Sequence, residues 1–123
     1  MKNYGAWMDA FMEGWKNLDV ERVMGMIAED CTYYETVFDQ PCLDTGAIRK
    51  LWEVVPENQK DIEYSYDILM ENEEYGIIHF RLARTVLPDG NRLEMDGIFQ
   101  IALDDGGRCT FFKQWRAARD IEG

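Results

Sequence analysis

The chain has one histidine, three cysteines and three prolines, and its 13 lysines and arginines are outnumbered by 24 aspartates and glutamates. Each shortage excludes something. A formal net charge of −11 argues against nucleic acid and against an anionic membrane surface, because neutralising phosphates takes clustered basic side chains. Here the basic residues are scattered. No apolar run is long enough to cross a bilayer. Cys31, Cys42 and Cys109 form no CxxC or CxxxC pair, so neither a disulfide framework nor a zinc site is expected, and they read as reduced thiols. His79 has no companion at metal-ligand spacing. No glycine-rich phosphate-binding motif is present, so no metal and no cofactor is expected. The first fifteen residues, MKNYGAWMDAFMEGW, carry one lysine and no continuous apolar stretch; they do not read as a signal peptide, and the expected location is the cytoplasm.

What is present is enough apolar material for one core. Hydrophobic residues make up 46% of the 123 positions and aromatics 13%, and no Gly/Ser- or Pro-rich stretch divides the chain, so a single domain over 1–123 is expected. Trp7, Met8, Phe11, Met12, Trp15 and Leu18 recur at steps of three and four and predict a first helix with one apolar face. Asp19 stands where an N-cap belongs, ahead of a second short helix carrying Val20, Val23, Met24 and Ile27. The segment 31–38 (CTYYETVF) is aromatic and β-branched and predicts a strand. Asp44 or Thr45 can cap a third helix with Ile48, Leu51, Trp52 and Val55 inward, stopped by Pro56. Strand-like stretches follow at 62–70, 75–87, 92–103 and 108–118, with a strong turn at Pro88-Asp89-Gly90-Asn91. Helices first and strands later predict an α+β fold with helices on one face of an antiparallel sheet.

That order of elements resembles the ketosteroid isomerase and SnoaL-like branch of the nuclear-transport-factor-2-like superfamily. So do the acidic pair Glu29-Asp30, the strand carrying Glu35, the loop with Pro41, the helix bearing Ile48 and Trp52, and the terminal GIFQI and FFKQWRA segments. The resemblance implies three helices packed on a curved antiparallel sheet, a pocket for an apolar small molecule, and a homodimer formed through the sheet. It also places Glu35 at the position of the isomerases' general base. A carboxylate projecting into an apolar cleft, here beside Tyr33 and Val37, suits proton transfer at neutral pH because desolvation favours its protonated form.

The rest of the isomerase machinery does not carry over intact. Its tyrosine donor falls on Phe11, which cannot donate a hydrogen bond. Its protonated aspartate falls on Asp96 in one register and on Gly97 in the next. Strand alternation opposes the first choice: around an Asp89-Gly90 turn, Asp96 shares a face with His79 and Arg81, while Ile78, Phe80, Leu82, Phe99 and Ile101 form the apolar face. The LPDG turn and the GIFQI strand also resemble limonene epoxide hydrolase, whose Asp-Arg-Asp set would need Arg81 with carboxylates where Ala83 and Gln114 stand. That activity is therefore excluded.

The expected site has Glu35 and Asp96 as catalytic residues, with Tyr33, Trp52, His79, Arg81, Phe112 and Gln114 lining the pocket. The expected function is binding of an apolar carbonyl compound, with cofactor-independent isomerase or cyclase chemistry by proton transfer. The alternative is a non-catalytic domain of the same fold that pairs with itself or another protein through the outer face of the sheet.

Overall fold

A computed structural model describes residues 2–36, 38 and 40–121. Four helices and five strands follow one another as α1 (Tyr4–Lys16), α2 (Val20–Met24), β1 (Ile27–Tyr34), α3 (Thr45–Glu53), α4 (Val55–Asn58), β2 (Gln59–Glu71), β3 (Gly76–Val86), β4 (Arg92–Leu103) and β5 (Cys109–Ile121). The strands form one sheet in the order β1-β5-β4-β3-β2. The helices pack on one face of it, as the α+β expectation requires.

Three local signals in the sequence set the helix starts. Asn3, Asp19 and Asp44 each accept a hydrogen bond from a backbone N–H of the first turn, Ala6 at 2.9 Å, Arg22 at 3.1 Å and Ala47 at 2.8 Å. A short side-chain oxygen at the N-cap satisfies a donor that the helix leaves unpaired. Helix α2 is shorter than expected: Gly25 caps it and Ile27 already belongs to β1. The pair Glu29-Asp30 therefore lies within a strand instead of closing a helix. Pro56 does not end the helical region either. It stands in the first turn of α4, where its missing N–H costs nothing and its fixed φ fits the helix.

The sheet is mixed. Strands β2 to β5 form an antiparallel meander, but β1 pairs with β5 in parallel, matching Tyr33 with Phe112. β1 also ends at Tyr34, earlier than the alternating pattern predicts. A single bridge follows, in which the Tyr33 and Cys42 backbones exchange two hydrogen bonds of 2.9 and 2.8 Å. Glu35 thus sits one residue past the strand, at the mouth of a loop whose two ends are tied together. Val37, expected beside it, lies outside the described residues.

One helix and one sheet face make most of the core. Met8, Phe11 and Met12 of α1 are fully buried, as are Ile78, Phe80, Phe99 and Ile101 of the sheet. Tyr64 and Tyr66 of β2 fix α1 in place by donating to Glu13 at 2.8 Å and to the Gly5 carbonyl at 3.2 Å. Cys31 and Cys109 are buried free thiols in apolar strands, and burial pushes the Cys109 thiol up. They behave as small core hydrophobes.

At Gly97 the backbones of β4 and β5 come too close for any side chain. A Cβ there would lie 2.1 Å from the Trp115 carbonyl oxygen and 2.9 Å from Arg116 Cα. Both obstacles are backbone and cannot rotate away. Gly97→Ala is expected to destabilise the fold by about 1–3 kcal/mol, the usual range for overpacking, read as a lower urea midpoint. A loss below about 0.5 kcal/mol would mean that the two strands yield at no cost, against this account of the close approach.

Candidate functional site

A cavity of about 310 Å³ opens between the helices and the inner face of the sheet, lined by side chains of α1, α3, α4, β1, β2, β3 and β5. Its volume lies at the small end of the range of ligand pockets, roughly 300–1,000 Å³, which leaves room for one or two rings. Much of its lining is aromatic. Phe11 and Trp15 of α1, Trp52 of α3, Tyr33 of β1 and Phe112 of β5 form that wall. Tyr33 stacks flat on Phe112, with centroids 4.5 Å apart and planes at 7°. Phe11 meets Trp52 edge-on at 5.5 Å.

The two indoles in this wall are held by polar partners. Trp15 Nε1 donates to Gln59 Oε1 at 2.9 Å, a fully buried pair. Trp52 Nε1 donates to the Tyr33 hydroxyl at 3.3 Å. Buried polar groups need such partners because desolvation is otherwise uncompensated. Gln59→Leu is expected to cost about 1–3 kcal/mol by orphaning the Trp15 N–H; an unchanged thermal midpoint would contradict that role.

Much of the remaining lining is polar. Glu35 is half-buried at the cavity wall and is its one carboxylate among the described residues. Arg84 of β3, Arg116 and Gln114 of β5, and Asn58 and Gln59 complete it. The Gln114 side chain is 5% exposed, and its Oε1 has no hydrogen-bond partner. The Arg84 Nε is buried without a partner as well. Burial, and after it the like charge of Arg116, pull the Arg84 guanidinium below its ordinary value, and the Glu35 carboxylate opposes them. Tyr33 is buried, and desolvation pushes its phenol well up, so the hydroxyl keeps its proton across the neutral range.

Five of the eight residues expected from the sequence therefore meet in one place: Glu35, Tyr33, Trp52, Phe112 and Gln114. The other three do not. Asp96, His79 and Arg81 lie together on the opposite face of the sheet. His79 Nε2 is 2.7 Å from Asp96 Oδ1 and Arg81 Nε is 3.2 Å from Asp96 Oδ2. The Asp96 carboxyl is held below its ordinary range, chiefly by the hydrogen bond from His79. The β3–β4 register explains the correction. Arg81 pairs with Asp96 and Phe80 with Gly97, without a bulge between them, so the face that carries Phe80, Met95 and Phe99 inward carries Asp96 outward. With Arg81 on that side and Ala83 and Gln114 in place of carboxylates, no Asp-Arg-Asp set is assembled.

Arg84 and Gln59 were absent from the expected site, as were Phe11 and Trp15. For Arg84 a signal existed. The inward alternation Ile78, Phe80, Leu82 continues to Arg84 and Val86, so the strand period alone puts a cation at the end of the apolar face. Gln59 begins a strand directly after a helix, where no period has yet been established. Among the described residues, no group of three His, Cys, Asp or Glu side chains is placed to hold a metal, and no helix is long and apolar enough to cross a membrane.

Residues 8–111 match the family model of the SnoaL-like domain. None of the curated protein sequences compared with the chain matches it. Several solved structures share its fold. An LEH-like epoxide hydrolase of M. tuberculosis is 17% identical, covers 91% of this chain and 80% of its own, and superposes with a TM-score of 0.71. SalBIII, described as an epoxide hydrolase/cyclase-like enzyme in pyran ring formation in the polyether salinomycin, is 11% identical over 98% of this chain and 100% of its own, with a TM-score of 0.81. An NTF2-like protein of Exiguobacterium sp. 255-15 is 13% identical over 90% of this chain and 98% of its own, at 0.75. At these identities the likeness establishes the fold alone.

Proposed function

The chain belongs to the SnoaL-like domain family, and from that premise we propose that its cavity binds a small cyclic carbonyl compound on which Glu35 moves a proton, without a cofactor, in an isomerase- or cyclase-type reaction. The observation that carries this reading is the placement of one carboxylate, among the described residues, on the wall of a cavity otherwise lined by aromatic and aliphatic side chains, amides and two arginines. Two of the similar structures are described as an epoxide hydrolase and an epoxide hydrolase/cyclase-like enzyme, which supports a small organic substrate.

In this reaction Glu35 takes a proton from the carbon next to the carbonyl. The C–H electron pair becomes a carbon–carbon π bond, and the carbonyl π pair moves onto oxygen. On a ketone with a carbon–carbon double bond at the β,γ position, Glu35 then returns the proton to the γ carbon as the oxygen pair re-forms the carbonyl and the double bond moves into conjugation, so nothing is consumed. On a ketone without one the proton returns to the same carbon. The developing oxyanion needs a hydrogen-bond donor. Phe11 cannot supply it, but the Tyr33 O–H can. Its oxygen already accepts the Trp52 N–H, and a hydroxyl that accepts a hydrogen bond is polarised into a better donor.

The experiment is hydrogen–deuterium exchange at C2 of 1-tetralone, a two-ring ketone, followed by NMR in D2O. The wild-type protein is expected to accelerate exchange, and Glu35→Gln to remove the acceleration. Retained exchange in the variant would overturn the base assignment.

Pairing through the outer sheet face is the competing reading, and Trp115, 40% exposed there, favours it. The same face is laced with ion pairs, His79–Asp96, Arg81–Asp96 and Arg119–Glu94. Such groups are already satisfied in water and gain little from being covered.

A further inference from the structure

We infer that the ligand of this cavity carries a carboxylate, bound by Arg84 and Arg116, with its rings lying against the aromatic wall. The inference rests on the reading of the cavity as a ligand site and specifies the substrate class.

The first observation is a mismatch of charge. In a chain with 24 acidic residues and 13 basic ones, carboxylate partners are plentiful. Arg49, Arg81, Arg92 and Arg119 each pair with one. Arg22, Arg84, Arg108 and Arg116 do not, among the described residues, and two of these, Arg84 and Arg116, line the same cavity. Glu35 acts on Arg84 electrostatically but forms no ion pair with it. Among the described residues, two guanidiniums and one carboxylate leave the cavity with a net charge of +1, which one monoanion would balance.

The second observation is independent of charge. The Arg84 Nε–H is buried and has no acceptor. An unpaired donor of this kind is rare in folded proteins, because it forfeits its hydrogen bonds to water. A ligand oxygen is the acceptor it lacks. Gln114 repeats the pattern from the neighbouring wall, since its Oε1 is buried and awaits a hydroxyl or N–H donor. A guanidinium offers paired N–H donors in a plane, and a carboxylate offers two oxygens at matching spacing. A phosphate monoester would present the same oxygens, but at ~−1.5 to −2 it overshoots the single positive charge available.

The third observation is the mixed lining of the cavity. The cations line it together with Glu35, Gln114 and Asn58, and the rings of Phe11, Trp15, Trp52 and Phe112 line the same cavity. A cyclic acid meets both kinds of lining when its carboxylate is directed toward Arg84 and its ring toward Phe112. That orientation holds the rest of the molecule next to Glu35 and Tyr33.

The test is a calorimetric titration of the wild-type protein, Arg84→Met and Arg116→Met with three probes of the same ring size: 2-naphthoate, its neutral isostere 2-naphthamide, and 2-naphthyl phosphate. Wild type is expected to bind 2-naphthoate roughly tenfold or more tightly than 2-naphthamide, as charge-assisted hydrogen bonds require. Each methionine variant should lose most of that preference, its affinity falling further for the acid than for the amide, because the charge-assisted bonds are made only by the acid. Arg116 is exposed, so its variant tests the inference even if Arg84→Met folds poorly. Equal affinity for naphthoate and naphthamide would overturn the carboxylate and leave the cavity as a ligand site. Tighter binding of the phosphate than of the naphthoate would overturn the choice of anion. Binding of none of the three probes would overturn both the inference and the cavity reading beneath it.

Discussion

Glu35→Gln is expected to lower the rate of proton exchange at the ketone by about 10²–10⁴, the range a positioned general base contributes, with little change in ligand affinity. The substitution keeps the shape and a carbonyl acceptor but removes the basic site. Position matters as much as chemistry. The residue stands immediately after β1, where the Tyr33–Cys42 bridge ties down the loop that follows, and it is the one acid on the cavity wall among the described residues. A similar loss in both rate and binding would assign Glu35 to holding the ligand, and an undiminished rate would remove it from the chemistry. If wild type itself fails to accelerate exchange, the catalytic half of the proposal falls, and the binding half is judged separately below.

The second large effect is on stability. Phe11→Ala should cost about 3–5 kcal/mol, the usual range for deleting a buried phenyl ring. Phe11 is fully buried. It stacks on Trp7 at 4.7 Å and touches Trp52, Phe112, Phe99 and Trp15 at 5.5, 5.6, 6.0 and 6.2 Å. Each of these rings loses a partner, and the space left behind merges with the cavity, so neighbours cannot collapse cheaply into it. Domains of this size are stable by only about 5–15 kcal/mol, so the variant should sit near the edge of folding and show a much lower urea midpoint. A loss under about 1 kcal/mol would mean that the aromatic wall is loosely packed and is not the rigid surface proposed for the ligand.

The same ring shows how far the sequence could be read. Steps of three and four placed Phe11 on the buried face of α1, and short polar residues ahead of each apolar run marked the caps at Asp19 and Asp44; both are local rules, and both held. Strand alternation was as reliable. It put Asp96 with His79 and Arg81, away from Phe80 and Phe99, and that is where they lie. Drawing Asp96 and Arg81 into the pocket meant following family position against the strand period, with His79 taken along as the neighbour of Arg81 two residues away, and the period was right. Followed two residues further, it would also have found Arg84. The parallel pairing of β1 with β5 had no local signal, because it joins segments about eighty residues apart in which each strand is apolar on its own account. Glu35 fell between the two cases. The residues around it are large on both faces, so alternation could not orient it, and its place on the cavity wall depends on where β1 stops and the loop turns.

The claim on which the rest depends is that the cavity under α1 and α3 is where a ligand binds, and the four tryptophans provide a direct test. Trp15 and Trp52 line it, while Trp115 lies on the far face of the sheet, under Lys113. In an NMR titration with 2-naphthoate and 1-tetralone, the indole N–H signals of Trp15 and Trp52 are expected to shift saturably, with the Trp115 signal unmoved. Shifts confined to Trp115, or no saturable shift at Trp15 and Trp52 with either compound, would contradict the account.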